Sequence, residues 1–322
     1  MAQVTEAAGT AAALERLKQK RRRSAPRQVL HLLVAYPVLP GFILLMVAFA
    51  GVFGSYLYPT DPIKQVLTLK NVPPTYGRVT PYNLLPADDR EHLDRSQFML
   101  GGDPVGRDIF SRIIGGARIT LEISVISLGT GLLLGASMGI VAGYLGGWVD
   151  ELITRLVDMW RSIPFILVAL VVAGFWSPKS SVVMLMLLSL VAWPPFVRQV
   201  RADVLVLRSR DYISSAKIAG ASNMRIMLKH ILPGTYSTIL VVASLTVGGL
   251  ILTEAGLSFL GAGIPDPIPT WGKSVADGRQ YIGQAPHVIF WPGLALFLVV
   301  MSFNFLGDWL RDKLDPRLRQ LD

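Results

Sequence analysis

"DYISSAKIAGASNMRIMLKHILPG" occupies residues 211–234, wedged between two long apolar runs. The segment is cationic, helix-prone and interrupted by Gly220. In its second half Met224, Met227, Leu228 and Ile231 recur at i, i+3, i+4 and i+7, which predicts one apolar helical face. Arg225 and Lys229 would project from the other side. Gly220 suits the left-handed residue that ends a helix, and Ser222 suits the cap that starts the next. Pro233 is expected to stop that second helix. The reading is two short helices around an elbow of small residues: Ser214, Ser215, Ala216, Ala219, Gly220 and Ala221. Small side chains let another surface approach closely. The same pattern also describes a basic helix resting on anionic lipid, and spacing alone leaves both readings open.

The flanking runs set the class. Of the 322 residues 52% are apolar and only 16% charged, against about 25% charged in a typical soluble domain. Mean hydropathy is +0.47. A crossing helix needs about 20 apolar residues. Six runs come close: Leu30–Tyr56, Ile123–Leu145, Ile163–Trp176, Val182–Val200, Thr235–Phe259 and His287–Trp309. The first is longer than a signal-peptide core and lacks a clean cleavage site, so it reads as an anchor. The sequence therefore predicts an all-α integral membrane protein with six transmembrane helices. It divides into a basic tail (1–29), a first span (30–56), a long loop carrying a surface helix (57–119), a five-helix core (120–309) and a tail (310–322). Within the core, residues 203–233 form a basic loop.

Orientation follows the basic residues near span ends. Residues 1–30 hold seven, and Arg198 to Lys229 hold seven more. The loop after the third span has Lys179, and the loop after the fifth has Lys273 and Arg279. Six spans with both termini cytoplasmic put the two basic segments in the cytoplasm. The loop 57–119 carries eight basic and seven acidic residues and is too long for the rule to apply. The net charge of +9 sits beside apolar spans, as it does at cytoplasmic membrane flanks, so a lipid surface rather than nucleic acid is the expected partner.

Segment 211–234 resembles the EAA loop of ABC importer permeases. That loop has a Glu-Ala-Ala triplet, a glycine four residues later and an Ile-Leu-Pro beyond. Here Ser214-Ser215-Ala216, Gly220 and Ile231-Leu232-Pro233 stand at those places, with serine replacing the glutamate. Further stretches resemble the dipeptide/oligopeptide/nickel branch, in its second (C-type) subunit. These are "LGGDPVGRDIFSRIIGGARITL" (100–121), "YLGGWVDELITRLVDMWRSIPFILVAL" (144–170), "ILTEAGLSFLGAGIPDPIPTWG" (251–272) and "NFLGDWLRDKLDPRLR" (304–319). The resemblance implies a type I (MetI-like) permease architecture in a bacterial or archaeal cytoplasmic membrane. It implies four partners beside lipid: a second homologous permease chain, two cytoplasmic ATPase subunits and an extracytoplasmic substrate-binding protein. ATP and Mg would be used by the ATPase, with no cofactor on this chain. Ser214, Ser215, Ala216, Lys217, Gly220, Ala221, Asn223 and Arg225 would carry the ATPase contact. The transported solute would be a di- or oligopeptide, with nickel chelates or another small solute as alternatives.

Other features are weighed against plainer readings. Gly131, Gly135, Gly139 and Gly143 recur every four residues and predict a close helix–helix seam, either sliding during gating or statically packed. Glu254 lies inside the fifth span, where a charge must face protein or water. It either lines or gates the substrate path, or pairs with an arginine of the long loop. Glu122, at the mouth of the second span, suits the headgroups. In Asp108–Arg118, Ile109, Phe110, Ile113 and Ile114 share one side, which predicts a helix flat on the outer surface. "WGKS" (271–274) lacks the first glycine of a phosphate-binding loop, because Pro267 stands there. Cysteine is absent and the four histidines are scattered, so no metal site is expected. A stand-alone secondary transporter would show inverted repeats, and a membrane enzyme would show clustered nucleophile, base or carboxylate groups. Neither signature is evident.

Overall fold

In the computed structural model residues 37–74, 98–175 and 180–314 are described, and every regular element among them is helical. The expected tail 1–29, the first residues of the first span, part of the 57–119 loop, Trp176, Lys179 and the end of the C-terminal tail lie outside the described residues. Helix α1 is Val38–Leu57. It is apolar on all sides, and Leu45 and Val52 are among its many exposed residues. Only Gly51 and Gly54 are buried, where they rest against Arg118, Leu121 and Ile114. A helix that is apolar all round suits lipid rather than water.

Helix α2 runs unbroken over Ile109–Leu145, 37 residues. At 1.5 Å per residue it is about 55 Å long, well beyond the hydrocarbon thickness of about 30 Å. This corrects the expected surface helix at Asp108–Arg118, because those turns are the first part of a spanning helix. Asp108 caps it, accepting from the backbone N–H groups of Phe110 and Ser111. The apolar stripe is satisfied by protein instead of lipid: Ile109 packs with Ala285 and Val288. Gly116 keeps the helix close to Trp271, whose indole N–H donates to the Ile113 carbonyl at 2.8 Å.

Helices α3 (Gly147–Ser162) and α4 (Phe165–Phe175) meet at a 72° bend. The expected span Ile163–Trp176 is thus only partly a straight helix. Ile163, ahead of Pro164, takes extended backbone, as steric contact with a following proline demands. Five helices are long and apolar enough to cross a membrane, and the α3–α4 pair makes a sixth if counted as one span.

Helix α5 (Ser181–Leu207) is longer than the predicted Val182–Val200 and contains Pro194 and Pro195. The α2 glycine stripe packs against it. A Cβ on Gly131 would run into Ala192, and one on Gly135 into Phe196 Cβ at 2.7 Å and the Trp193 carbonyl. At Gly139 it would lie 2.9 Å from the Val197 carbonyl, and at Gly143 2.7 Å from Val204 Cβ. All four glycines therefore lie on one interface, and close approach of α2 to α5 is what they permit.

After α5 come α6 (Asp211–Ile218) and α7 (Asn223–Ile226). A π turn (Met227–Ile231) and a 3₁₀ turn (Leu232–Thr235) lead into α8 (Tyr236–Phe259). Helix α9 (Trp271–Gly278) precedes α10 (His287–Leu314), which continues past the expected Trp309. Helix α8 packs on α10, and α9 lies over both; Trp271, Val247, Ile251 and Val299 share one buried cluster.

Candidate functional site

At one end of the bundle the 211–234 elbow is tied down by three isoleucines. Ile213, Ile226 and Ile231 are each 0% exposed and pack with Tyr144, Phe196 and Val200 from α2 and α5. Gly220 has φ +78°, in the left-handed region that glycine adopts without penalty. The N–H of Ala221 donates to the Ala216 carbonyl and the N–H of Gly220 to the Lys217 carbonyl, each at 3.0 Å. That pair of bonds is a Schellman motif. Ser222 then caps α7, its side chain accepting from the Arg225 N–H. Asp211 in the first turn of α6 and Lys217 in its last complement the helix dipole. Tyr144 fastens the elbow from α2: its hydroxyl donates to Asn223 Oδ1 at 3.0 Å, and Lys217 Nζ lies 5.3 Å from its ring centroid.

Two expectations about this segment fail. Met224 and Leu228 do not face the bundle; they are 63% and 54% exposed. Ile226, ahead of the π turn at Met227–Ile231, is buried with Met227 packed against the same cluster, and the residue that the π turn adds leaves Leu228 outward and Ile231 inward. Nor does Pro233 stop the helix. It sits at the start of the 3₁₀ turn, where its missing N–H is harmless, and the chain runs on into α8. Of the predicted contact residues, Ser214, Ser215, Lys217, Gly220, Asn223 and Arg225 are exposed, while Ala216 and Ala221 are half-buried under the motif.

The opposite end carries a charge cluster that the sequence reading missed. Arg107 is 3% exposed. Its Nε donates to Asp103 Oδ2 at 2.5 Å, Nη1 to Asp266 Oδ1 at 2.7 Å and Nη2 to Asp277 Oδ2 at 3.1 Å. Lys273 Nζ reaches Asp277 at 2.6 Å and Asp266 at 3.3 Å. One guanidinium thus joins the loop before α2, the loop before α9 and α9 itself. Burial pushes the Asp266 carboxyl up, but its bond to Arg107 and the charges of Arg107 and Lys273 outweigh this and hold it below the usual carboxylate range. Burial lowers the Lys273 ammonium and its two carboxylate partners more than restore it, so it is raised. The legible signal was the near-balance of charge in segment 57–119, since a balanced set of charges is what a paired network requires.

Glu254 departs from the arginine pairing offered for it. It is 1% exposed, enclosed between α8 and α9, and no arginine touches it among the described residues. Oε1 accepts from Ser258 Oγ at 2.8 Å and Thr270 Oγ1 at 3.0 Å, while Oε2 has no donor among the described residues. The two hydroxyl donors satisfy Oε1 alone of this buried carboxyl. Thr270 also caps α9, accepting from the Lys273 N–H at 3.1 Å, so "WGKS" is a helix start rather than a nucleotide loop. Glu122 is exposed on α2. Among the described residues no three histidine or carboxylate groups gather as a metal site.

Residues 131–320 match the family model described as "Binding-protein-dependent transport system inner membrane component". The chain is 42% identical over 245 residues to the glutathione transport system permease protein GsiD of Pectobacterium atrosepticum, covering 73% of this chain and 81% of that one. It is 40% identical over 245 residues to the dipeptide transport system permease protein DppC of Alkalihalophilus pseudofirmus, covering 76% and 78%. Among solved structures, an inward-facing form of the MetNI methionine ABC transporter shares the fold, with a TM-score of 0.52 at 22% identity. That match covers 63% of this chain and 95% of the other.

Proposed function

The chain belongs to the family of binding-protein-dependent transport system inner membrane components, and from that premise we propose that it moves small peptides inward, worked through its 211–234 elbow. It is the transmembrane subunit of an ABC importer in the bacterial inner membrane, and ATP hydrolysis resides in a separate subunit. The finer assignments are our own. The bent α3–α4 pair counts as one crossing, giving six spans with both termini in the cytoplasm, where the basic segments belong. The assembly contains a second homologous permease, two ATPases that use ATP and Mg, and an extracytoplasmic binding protein. Relatives named for glutathione and for dipeptides favour a short peptide as the solute.

The observation that carries the coupling role is the two-sidedness of the elbow. Three buried isoleucines hold one side to α2 and α5, while Ile218 and Met224 stand 88% and 63% exposed on the other. Apolar side chains bared on an otherwise polar tip mark a protein contact. ATP binding would move the ATPases, and a capped, anchored elbow transmits that movement to packed helices as a rigid body. Ser214, Ser215, Lys217, Asn223 and Arg225 line the contact, and Gly220 with Ala216 and Ala221 shapes it. The test is co-purification of the ATPase with wild type and with Ile218→Glu. Binding should be lost while the permease pair stays assembled; full retention of the ATPase would sink the assignment. Ion-driven uptake by this chain alone in liposomes would instead mark a secondary transporter.

A further inference from the structure

A groove of about 520 Å³ lies along the middle of the bundle between α5 and α8. Its end nearer the elbow carries Arg161, Arg198 and Gln199, and further along it is lined by Val191, Thr246 and Thr253. Three observations favour water or protein over lipid tails against this wall, whose lining is otherwise largely apolar (Val191, Pro195, Val242, Leu245 and Leu250). Arginine and glutamine at that position are costly against lipid tails and belong beside water or protein. Pro194 and Pro195 have no N–H to donate to the carbonyls of Leu190 and Val191. Backbone groups released in this way at membrane depth are tolerated where they line an aqueous cavity or are buried in protein. Finally, Gly249 faces open space, with nothing within 4 Å of an added Cβ.

The groove is also polarised. Arg198 Nη2 is paired with Asp158 Oδ1 at 2.5 Å, but no ion pair is formed by Arg161 among the described residues. The two arginines and one aspartate leave a net positive charge at that end. Towards the other end the Thr246 and Thr253 hydroxyls donate to the carbonyls of Val242 and Gly249, at 2.7 and 2.8 Å. Each hydroxyl oxygen keeps lone pairs that can accept, and both residues line the groove. Cationic donors therefore stand at one end of the groove and neutral acceptors at the other. We propose that this groove is an aqueous passage wall and that Arg161 receives the carboxylate end of the transported solute there. This rests on the importer reading and adds to it the solute chemistry and the residue that reads it.

The chain has no cysteine, so a single Thr246→Cys in the assembled transporter reports on the groove alone, read as a mass shift of this chain. Labelling is compared for an anionic sulfonate and a cationic trimethylammonium methanethiosulfonate, each normalised to a small free thiol. A focused positive potential should favour the anion by about 10-fold. Arg161→Gln should bring the ratio near unity, and Arg161→Lys should keep most of it. Excess dialanine should slow the labelling more than its C-terminal amide does. A residue that no reagent reaches, while an Ile218→Cys control in the ATPase-free permease pair reacts, would mean a groove filled by lipid or protein and would overturn the proposal. So would labelling without charge preference, and equal slowing by acid and amide would overturn the carboxylate assignment. Intact charge-selective labelling without ATP-driven uptake would count against the importer reading and leave this inference standing.

Discussion

Replacing Gly135 by alanine, beside the same change at Gly129, tests the α2–α5 seam on a single helix. At Gly129 nothing lies within 4 Å of the added methyl. There the change should follow helix propensity and stabilise by up to about 1 kcal/mol. At Gly135 the methyl would sit 2.7 Å from Phe196 Cβ and press on the Trp193 carbonyl. A backbone carbonyl cannot swing aside as a flexible side chain can, so α2 and α5 must separate. Overpacking of this kind costs about 1–3 kcal/mol. Set against the same propensity gain, Gly135→Ala should fall between no change and a loss of about 2 kcal/mol, which places it about 1–3 kcal/mol below Gly129→Ala. Unfolding in mixed micelles, titrated with denaturing detergent and followed by tryptophan fluorescence, measures the difference. If the two variants unfold together, the seam is not tightly packed and the reasoning from spacing to close approach is wrong. If Gly135→Ala is as stable as wild type but uptake falls several-fold, the seam slides during transport rather than serving as static packing.

Arg107→Met should destabilise by about 3 kcal/mol, because the nearly buried Asp103 carboxylate keeps only the more distant Arg112, at 3.7 Å; the same detergent titration reads this, and Arg107→Lys should recover only part of it. The Arg107 cluster should loosen on acidification. A carboxyl held below its ordinary range, as Asp266 is, contributes stability above its unfolded value that is lost as pH falls through the folded one. Lys273 is raised, so its contribution is complete below its unfolded value and lost only as pH climbs past the folded one. Protease cleavage near α9 should therefore rise below about pH 4, and Asp266→Asn should remove most of that pH dependence. Gly220→Val forces a branched side chain into the left-handed region at a cost of about 1–2 kcal/mol; ATPase co-purification should drop several-fold while the permease pair stays assembled.

What could be read in advance follows from what kind of signal each feature leaves. The spans were legible because burying backbone in lipid requires runs of apolar residues that no folded context can disguise. The glycine stripe was legible because a helix face recurs every three to four residues whatever lies opposite. The elbow's turn was legible too, since Gly220 and Ser222 act through their own backbone. Its buried face was not. One π turn shifts the phase of the side chains within and after it, which leaves Leu228 exposed; Met224 and Ile226 precede it, and which of them is buried follows from how α7 enters the bundle. The surface helix at 108–118 was misjudged because an apolar stripe does not say whether lipid or Ala285 and Val288 will cover it.

The sequence by itself determined the class of the molecule, a helical membrane protein with a small-residue elbow and a close helical seam, because hydropathy, periodicity and backbone freedom are local properties. Only the tertiary structure decided the Arg107 cluster, the enclosure of Glu254 beneath α9, and the α5–α8 groove with Arg161 at its end. Asp103 and Asp277 are separated by most of the chain, and no periodicity joins them. Their pairing through one guanidinium exists because folded helices bring distant loops together, where a buried charge must find its opposite.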